Sequence, residues 1–296
     1  MSRVFQYIKN LVQRLKIWIE LNKKSISGWL ELEGHVSYRF PVIESIIGML
    51  LIITVITILT GSLGFWKLTL HQEEGNQLVA SSDDIGYADS SPLLSIPLSF
   101  VFPLVILIPL LVSYTTARGF ETDTTKTFLS YPISRFQFLM LKTLSGICIT
   151  GCISTLSIIF GSFVVGRFMT QLSILMAIII GIWVLIIFIV SMTTFYAILL
   201  KSSIATSFLG IGTFFLATIS YIQLGWLKGY AYFPDSIRGI LNPLLLVHEH
   251  LVRLYFDSPL LPPSFEDVMI SITLCLIIST LVFVLTWKIF EHSEVK

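Results

Sequence analysis

The sequence predicts an all-α integral membrane protein with six transmembrane helices, and both its composition and its apolar stretches indicate this fold class. Of its 296 residues, 54% are hydrophobic and 12% are charged, whereas about a quarter of the residues in an ordinary soluble domain are charged. Six apolar stretches reach the length of about twenty residues that a helix needs to cross a bilayer. The predicted spans are residues 43–65, 95–117, 140–165, 172–200, 204–224 and 268–290.

Residues 1–41 precede these spans and are predicted to lie at the membrane surface, while residues 42–296 form the six-span transmembrane domain. In the first twenty residues, apolar side chains follow one stripe of a helix and basic side chains lie elsewhere. The stripe includes Phe5, Ile8, Leu11 and Trp18. Because basic amphipathic helices bind in the headgroup region of a bilayer, we predict an interfacial helix here. A helix packed on a soluble partner is the alternative interpretation.

The basic residues favour one orientation of the spans. If the N-terminus is cytoplasmic, 14 of the 19 Lys and Arg residues lie on the cytoplasmic side. Cytoplasmic loops of membrane proteins carry an excess of Lys and Arg. Both termini are therefore predicted to face the cytoplasm, and the chain is predicted to be a multi-pass protein of the cell membrane.

Two local features modify the spans. Only Lys201, Ser202 and Ser203 separate the fourth span from the fifth, so we predict a tight turn there, with a single broken hydrophobic region as the alternative. In the second span, Pro103 and Pro109 are expected to kink the helix and to free backbone carbonyls.

The connection between the second and third spans, residues 118–142, is polar where its flanks are apolar. A short helix with an aromatic face is predicted from residues at steps of four, four and three: Phe120, Thr124, Phe128 and Tyr131. Lys126 lies on another face, and Pro132 ends the helix because the residue before a proline is pushed out of the helical region. Ser134 and Gln137 have the spacing of a capping box, which predicts a second helix that continues into the membrane.

The segment between the fifth and sixth spans, residues 225–267, is predicted to be an outer helical segment. After Asn242 and Pro243, apolar residues recur at the spacing of a short helix, residues 244–255. Ser264 and Asp267 are predicted to cap the last span.

The sequence contains no pattern of catalytic, cofactor-binding or metal-binding residues. Charged side chains inside a membrane usually mark ion pathways or catalytic sites, and none is expected in the interiors of spans two to six. His248, Glu249 and His250 are not predicted to bind a metal, because residues two apart on a helix point about 200° away from each other. A phosphate-binding loop is absent from the sequence, so the chain is not predicted to hydrolyse ATP by itself. No nucleic acid partner is indicated.

The connection resembles the corresponding region of the membrane subunits of ATP-binding-cassette transporters of the ABC-2 type. In that family the segment after the second span reads Glu-x-Gly-Thr, an apolar helix, Ser-x-Pro-Ile/Val-Ser-Arg, and then a Lys some seven residues on. The matching residues of this chain are Glu121, Thr124, Ser130, Pro132, Ile133, Ser134, Arg135 and Lys142. Asp123 stands where the family usually has glycine.

The resemblance implies a permease subunit of an exporter, which moves an unidentified substrate with ATP hydrolysed by a separate subunit. That ATPase would bind the ATP and Mg²⁺, and the permease would form a dimer with a second copy of itself or with a related permease. The connection would be the coupling helix, with Phe128 and Tyr131 in a hydrophobic notch of the ATPase and Glu121 and Arg135 at the rim. The complete set of implied coupling residues is Glu121, Thr124, Phe128, Tyr131, Pro132 and Arg135.

An alternative function uses the outer segment, residues 225–267. The chain would then be a membrane-embedded enzyme or an assembly factor. Its signature would be an activity that needs no nucleotide and is lost when His248, Glu249 or Arg253 is changed.

Overall fold

The computed structural model of the chain is helical in the part that it describes. The described residues are 45, 48, 49, 52, 53, 56, 96–122, 124–129, 134–164, 172–226, 234–255 and 263–293. Within these ranges there is no strand, and five helical segments are long and apolar enough to cross a membrane. These segments are Phe100–Glu121, Arg135–Phe163, Leu172–Leu200, Ser203–Gly225 and Phe265–His292.

The helices are numbered in chain order. Helix α1 (Ile96–Val112) continues through a π-helical turn (Ser113–Ala117) into α2 (Arg118–Glu121). The remaining helices are α3 (Thr124–Leu129), α4 (Arg135–Val164), α5 (Leu172–Leu200), α6 (Ser203–Trp226), α7 (Asp235–Leu241), α8 (Pro243–Tyr255) and α9 (Phe265–His292).

The five membrane-length segments coincide closely with the second to sixth predicted spans. The first predicted span, residues 43–65, is described at six positions only, and all six are helical. The six-span layout therefore stays a prediction. The predicted interfacial helix of residues 1–41, with its stripe of Phe5, Ile8, Leu11 and Trp18, lies outside the described residues.

The predicted capping box at Ser134 and the predicted cap at Ser264 are both present. Each begins its helix a few residues before the apolar stretch. The backbone N–H of Gln137 donates to Ser134 Oγ at 3.2 Å, and the Ser134 N–H donates to Gln137 Oε1 at 2.9 Å. Helix α4 therefore begins at Arg135. At the last span, the Asp267 N–H donates to Ser264 Oγ at 3.0 Å, and the Ser264 N–H donates to the Asp267 carboxylate at 3.3 Å.

The predicted tight turn between the fourth and fifth spans is confirmed. Helix α5 ends at Leu200 and α6 begins at Ser203, so the alternative of one broken region is wrong. Lys201 has a φ of 50°, in the left-handed region that side chains with a Cβ rarely adopt. Its N–H still donates to the Ala197 carbonyl at 3.0 Å, so the last turn of α5 is closed before the chain reverses.

Helix α5 is the centre of the bundle. More than half of its 29 residues are buried, and it packs against α1, α4, α6, α8 and α9. A helix that is apolar all round is stable only when it is surrounded. The outer face of α4 has the opposite character, because its exposed side chains recur at steps of four and are apolar or thiol-bearing. They are Phe136, Met140, Leu144, Cys148, Cys152, Leu156 and Phe160, and the exposed Phe163 follows three residues later. Such a continuous apolar face suits lipid rather than water.

The two prolines of the second span lie inside a continuous α-helix. Pro103 and Pro109 both fall within α1, and the departure from α geometry follows them at Ser113–Ala117. Pro109 also marks a close contact between spans, because a Cβ atom on Gly210 of α6 would lie 2.8 Å from the Pro109 Cβ. The irregular part of this span is thus the π-helical turn.

Helices α7 and α8 form a re-entrant pair that dips into the bundle. At their junction, Asn242 is fully buried, and its Nδ2 donates to Thr218 Oγ1 of α6 at 3.1 Å. Beside the junction, the Ile240 carbonyl accepts from Cys275 Sγ of α9 at 3.8 Å. Thr218 and Cys275 lie eight and ten residues from the near ends of their helices. At 1.5 Å per residue, the junction is therefore roughly 12–15 Å inside the bundle.

The pair leaves the bundle on the side where it enters. Helix α6 runs towards that side and α9 starts from it. Near the exit, His250 Nδ1 lies 2.7 Å from the Pro263 carbonyl, just before α9. The sequence correctly predicted helix α8, and the outer side of the segment stays a prediction. Leu244–Val247 are buried against the bundle. This depth is reached because the Asn242 side chain also accepts from the Leu245 N–H at 3.2 Å, which satisfies a helix end away from water.

Close packing of α7 on α9 depends on Gly239. A Cβ atom there would lie 2.9 Å from the Ser271 Cβ and would overlap with Leu246 Cδ2. We expect Gly239→Ala to lower the free energy of unfolding by about 1–3 kcal/mol, as overpacking usually does. The melting temperature in detergent should fall accordingly. The matched control is Gly212→Ala, because nothing lies within 4 Å of a Cβ on Gly212. Equal melting temperatures for the two variants would contradict this packing.

Candidate functional site

The connection between α2 and α4 lies at the same end of the bundle as the α5–α6 turn and the end of α9. We call this the corner end and define it as the described residues within 118–135, 201–203 and 290–293. Glu121 ends the helix that enters the connection, and Arg135 begins the helix that leaves it. These two charged side chains join the three parts of the corner end.

Glu121 caps a different span. Its carboxylate accepts from the Ser203 N–H at 2.7 Å and from the Ser203 hydroxyl at 2.8 Å. Ser203 is the first residue of α6, where backbone N–H groups have no partner within the helix. A negative charge at a helix N-terminus is also favoured by the helix dipole. The side chain of Glu121 therefore ties the start of the connection to α6.

Arg135 makes the complementary contact at the end of α9. One guanidinium nitrogen, Nη1, donates to the carbonyls of Phe290, Glu291 and Ser293 at 3.0, 2.9 and 2.7 Å. The guanidinium also lies 5.8 Å from the centre of the Phe290 ring. The last carbonyls of a helix lack partners within it, and a cation is favoured there. Arg135 thus ties the other end of the connection to α9.

Threonine hydroxyls shape the turn between α2 and α3. The Thr122 N–H and hydroxyl both donate to the Arg118 carbonyl, at 3.0 and 2.9 Å. The Thr124 hydroxyl donates to the Gly119 carbonyl at 3.3 Å. Side chains that bond nearby carbonyls are typical of turns at helix ends, and these bonds accompany the end of α2 at Glu121.

This break corrects one part of the sequence analysis. Phe120 and Thr124 were predicted to share one helix, but Phe120 belongs to α2 and Thr124 begins α3. The Phe120 ring instead packs edge-on against Phe290 of α9, with 6.0 Å between ring centres. The periodic spacing was real, but the turn between α2 and α3 interrupts it.

The structure describes the remaining predicted coupling residues only in part. Tyr131 and Pro132 lie outside the described residues, and Phe128 is described only as part of the backbone of α3. The short helix predicted before Pro132 is present as α3. Lys126 is exposed on that helix.

Lys142 is a buried cation inside the third span. It is 6% exposed, and its Nζ donates to the Thr115 carbonyl in the π-helical turn at 3.0 Å. The expectation that spans two to six hold no charged side chain in their interiors is wrong at this position. Because α4 begins at Arg135, Lys142 is already two turns inside the helix, and its long side chain reaches the irregular turn of the neighbouring span. The π-helical turn is thereby linked to the first turns of α4.

A second charged cluster lies in the re-entrant pair, and we call it the far-end cluster: Tyr221, Asp235, Arg238 and Glu249. Arg238 is 2% exposed and pairs through Nη2 with the carboxylates of Glu249 and Asp235, the latter at 3.1 Å. The Tyr221 hydroxyl donates to Glu249 Oε2 at 2.8 Å, and the guanidinium lies 4.6 Å from the Tyr221 ring centre. A buried charge that loses its partner is strongly destabilising, so these side chains hold α7, α8 and α6 together.

Sequence reasoning missed the far-end cluster. It placed both Arg238 and Glu249 in the outer helical segment, residues 225–267, and assigned no contact between them. The signal that could have found the pair is their opposite charge on the two sides of the Asn242–Pro243 junction. Within the described residues, no three His, Cys, Asp or Glu side chains converge as a metal site.

Comparisons with protein-family models, with curated proteins and with solved structures found no match to this chain.

The contact of Lys142 predicts a stability difference between two lysines. We expect Lys142→Met to lower stability by about 1.5–3 kcal/mol, because a hydrogen bond that involves a charged group contributes about that much. Lys126→Met is the matched control, since Lys126 is exposed. SDS-induced unfolding of the two purified variants measures the difference, and equal midpoints would argue against a structural role for Lys142.

The pairing in the far-end cluster predicts that replacing one charged partner lowers the stability of the fold more than replacing both. Arg238→Met is expected to destabilise the protein by up to about 3 kcal/mol, because it leaves the partly buried carboxylates of Asp235 and Glu249 without their buried partner. Arg238→Met combined with Glu249→Met should recover part of this loss. The control is Lys288→Met, since the Lys288–Glu291 ion pair is exposed and such pairs contribute about 0–1 kcal/mol. Thermal unfolding in detergent distinguishes these outcomes, and a double variant as unstable as Arg238→Met would contradict the pairing.

Proposed function

We propose that the chain is the permease subunit of an ATP-binding-cassette exporter of the ABC-2 type. In this proposal it forms a dimer with a second copy of itself or with a related permease, in the cell membrane, with both termini in the cytoplasm. ATP and Mg²⁺ bind to separate ATPase subunits. The corner end then faces the cytoplasm, where such subunits reside.

The observation that carries the proposal is the connection that matches the family pattern. Its described motif residues include Glu121, Thr124, Ser134, Arg135 and Lys142, and each of them makes a hydrogen bond that shapes the corner end or the adjoining spans. A polar connection held in a fixed shape between two membrane-length helices suits a docking surface better than a passive loop. The proposal rests on this local pattern and not on a match over the whole chain.

Coupling requires a contact that differs between two states of the permease. A partner shifts a conformational equilibrium only as far as it binds the two states unequally. The sequence has no phosphate-binding loop, so the energy of ATP hydrolysis would have to arrive through such a contact. The connection is the candidate for it. The apolar character of the spans favours a hydrophobic substrate.

The first test is purification of the tagged chain in mild detergent, with identification of its partners and an ATPase assay. We expect a stoichiometric ATP-binding protein that is lost when Phe128→Asp and Tyr131→Asp are introduced together, because two buried carboxylates would disrupt an apolar contact. The matched control is Phe265→Asp. Phe265 is an exposed aromatic residue at the start of α9, where a helix N-terminus tolerates a negative charge.

Two results would count against the proposal. One is an intact, folded chain that purifies alone and without nucleotide hydrolysis. The other is an ATP-binding partner that stays bound to the Phe128→Asp/Tyr131→Asp variant, since the connection would then not be the contact.

The far-end cluster supports a second candidate function, an enzyme or assembly factor that acts through residues 225–267. Ionisable groups inside a membrane often belong to functional sites, and Arg238 is buried within the bundle in contact with Glu249. This candidate predicts an activity that persists without nucleotide and is lost on changing His248, Glu249 or Arg253. A chain that purifies without an ATPase would make it the leading function.

A further inference from the structure

We propose that Glu121 and Arg135 are positioning residues that spread movement of the connection to two further spans, α6 and α9. The inference rests on the proposed function, because it concerns how a movement driven by an ATPase would pass through the permease. It differs from what the family resemblance implies, which is that these two side chains contact the ATPase itself.

The covalent chain carries movement of the connection to two spans only. These are the first described span, which ends in α2, and the third, which begins at Arg135. Ser203, which binds Glu121, is 82 residues away in sequence, and Phe290, which binds Arg135, is 155 residues away. The two side-chain contacts therefore add paths that the order of the chain does not provide.

The contacts of Glu121 and Arg135 can transmit movement because they bind the backbone at helix ends. A carboxylate holds the N-terminal N–H of α6, and a guanidinium holds the C-terminal carbonyls of α9, each with the charge that the helix dipole favours. Hydrogen bonds with one charged partner are shorter and about twice as strong as neutral ones. A displacement of the connection must either carry these two helix ends with it or break the contacts.

Both side chains are already engaged within the chain. Glu121 accepts two hydrogen bonds from Ser203, and Arg135 donates to the carbonyls of Phe290, Glu291 and Ser293 at the end of α9. An ATPase that used these side chains as its own contacts would have to share them with two helix ends. We therefore expect a partner to bind α3 and the residues that follow it.

The test uses the purified complex in lipid nanodiscs, with an environment-sensitive fluorophore on a single cysteine. The three native cysteines are replaced, and one reporter at a time is placed on an exposed apolar position of each helix. Phe208→Cys reports on α6, Leu285→Cys on α9 and Leu144→Cys on α4. The fluorescence shift is compared between the nucleotide-free complex and the complex trapped with Mg-ATP and vanadate.

The variants remove each contact from one side or from both. Glu121→Ala removes the carboxylate. Ser203→Pro removes both donors from the other side of the contact, at a first helical position where proline is well tolerated. Arg135→Met removes the cap of α9. Ser264→Ala is the control, because it removes a helix cap at the opposite end of α9.

We expect the shift at the α6 reporter to be lost in Glu121→Ala and in Ser203→Pro, with no further loss in the double variant. Arg135→Met should abolish the shift at the α9 reporter and leave the α6 reporter unchanged. The α4 reporter should respond in every variant, and Ser264→Ala should behave as wild type. The ATPase should copurify with all of them.

Two results would overturn the inference. In the first, the α6 and α9 reporters still shift when their contacts are removed. In the second, the ATPase is lost from Glu121→Ala or Arg135→Met but not from Ser203→Pro, which would place these side chains on the partner. Absence of an ATPase from the wild-type chain is a different result, and it would reject the proposed function itself.

Discussion

The fold depends on one constraint, which is that a bilayer core offers no hydrogen bonds to the backbone. Every helix end or irregular turn inside it must find its partners within the chain. Within the bundle, Lys142 of one helix binds the π-helical turn of another, and Asn242 closes the tip of the re-entrant pair. At the more exposed corner end, Glu121 and Arg135 close the ends of two further helices. The same side chains that satisfy the backbone thus fix how the spans sit against one another.

The uncharged polar side chains of the spans play a smaller part in joining helices. Most hydroxyls donate to a carbonyl of their own helix, usually four residues earlier, as Thr193 does to Ile189. Contacts between helices involve an aromatic donor or acceptor in two cases, Trp183 with Thr155 and Tyr196 with Thr213. Bonding within the helix is preferred because it needs no matching partner across an interface.

Local features of the fold were predictable from the sequence, and contacts between distant residues were not. The length of the apolar stretches predicted the five described helical segments that could cross a membrane, and the spacing of Ser134 with Gln137 predicted the start of α4. These signals act within one or two turns of helix. The contacts of Glu121 with Ser203 and of Arg135 with α9 join residues that are far apart in sequence. No periodicity reports on such contacts, and for the same reason the depth of the re-entrant pair was not foreseen.

At the candidate site, too, local features were predictable and long-range contacts were not. The motif correctly singled out the residues that matter at the corner end, but it could not say which groups they contact. Phe120 illustrates a more local failure, since its spacing from Thr124 fits one helix, whereas the chain turns between α2 and α3. The side-chain bonds of that turn depend on rotamers, which a residue pattern does not specify.

The re-entrant pair has a consequence for how the protein is made. Helices α7 and α8 are too short to cross a bilayer, and their buried junction is sheltered by α6 on one side and by α9 on the other. Because α9 follows them in the chain, α7 and α8 are synthesised before the helix that completes their packing. The polar partners of Asn242 and Arg238 lie in α6, α7 and α8, so they are already present in the chain when the pair is made. The contact of Cys275 with the Ile240 carbonyl, by contrast, forms only once α9 has joined the bundle.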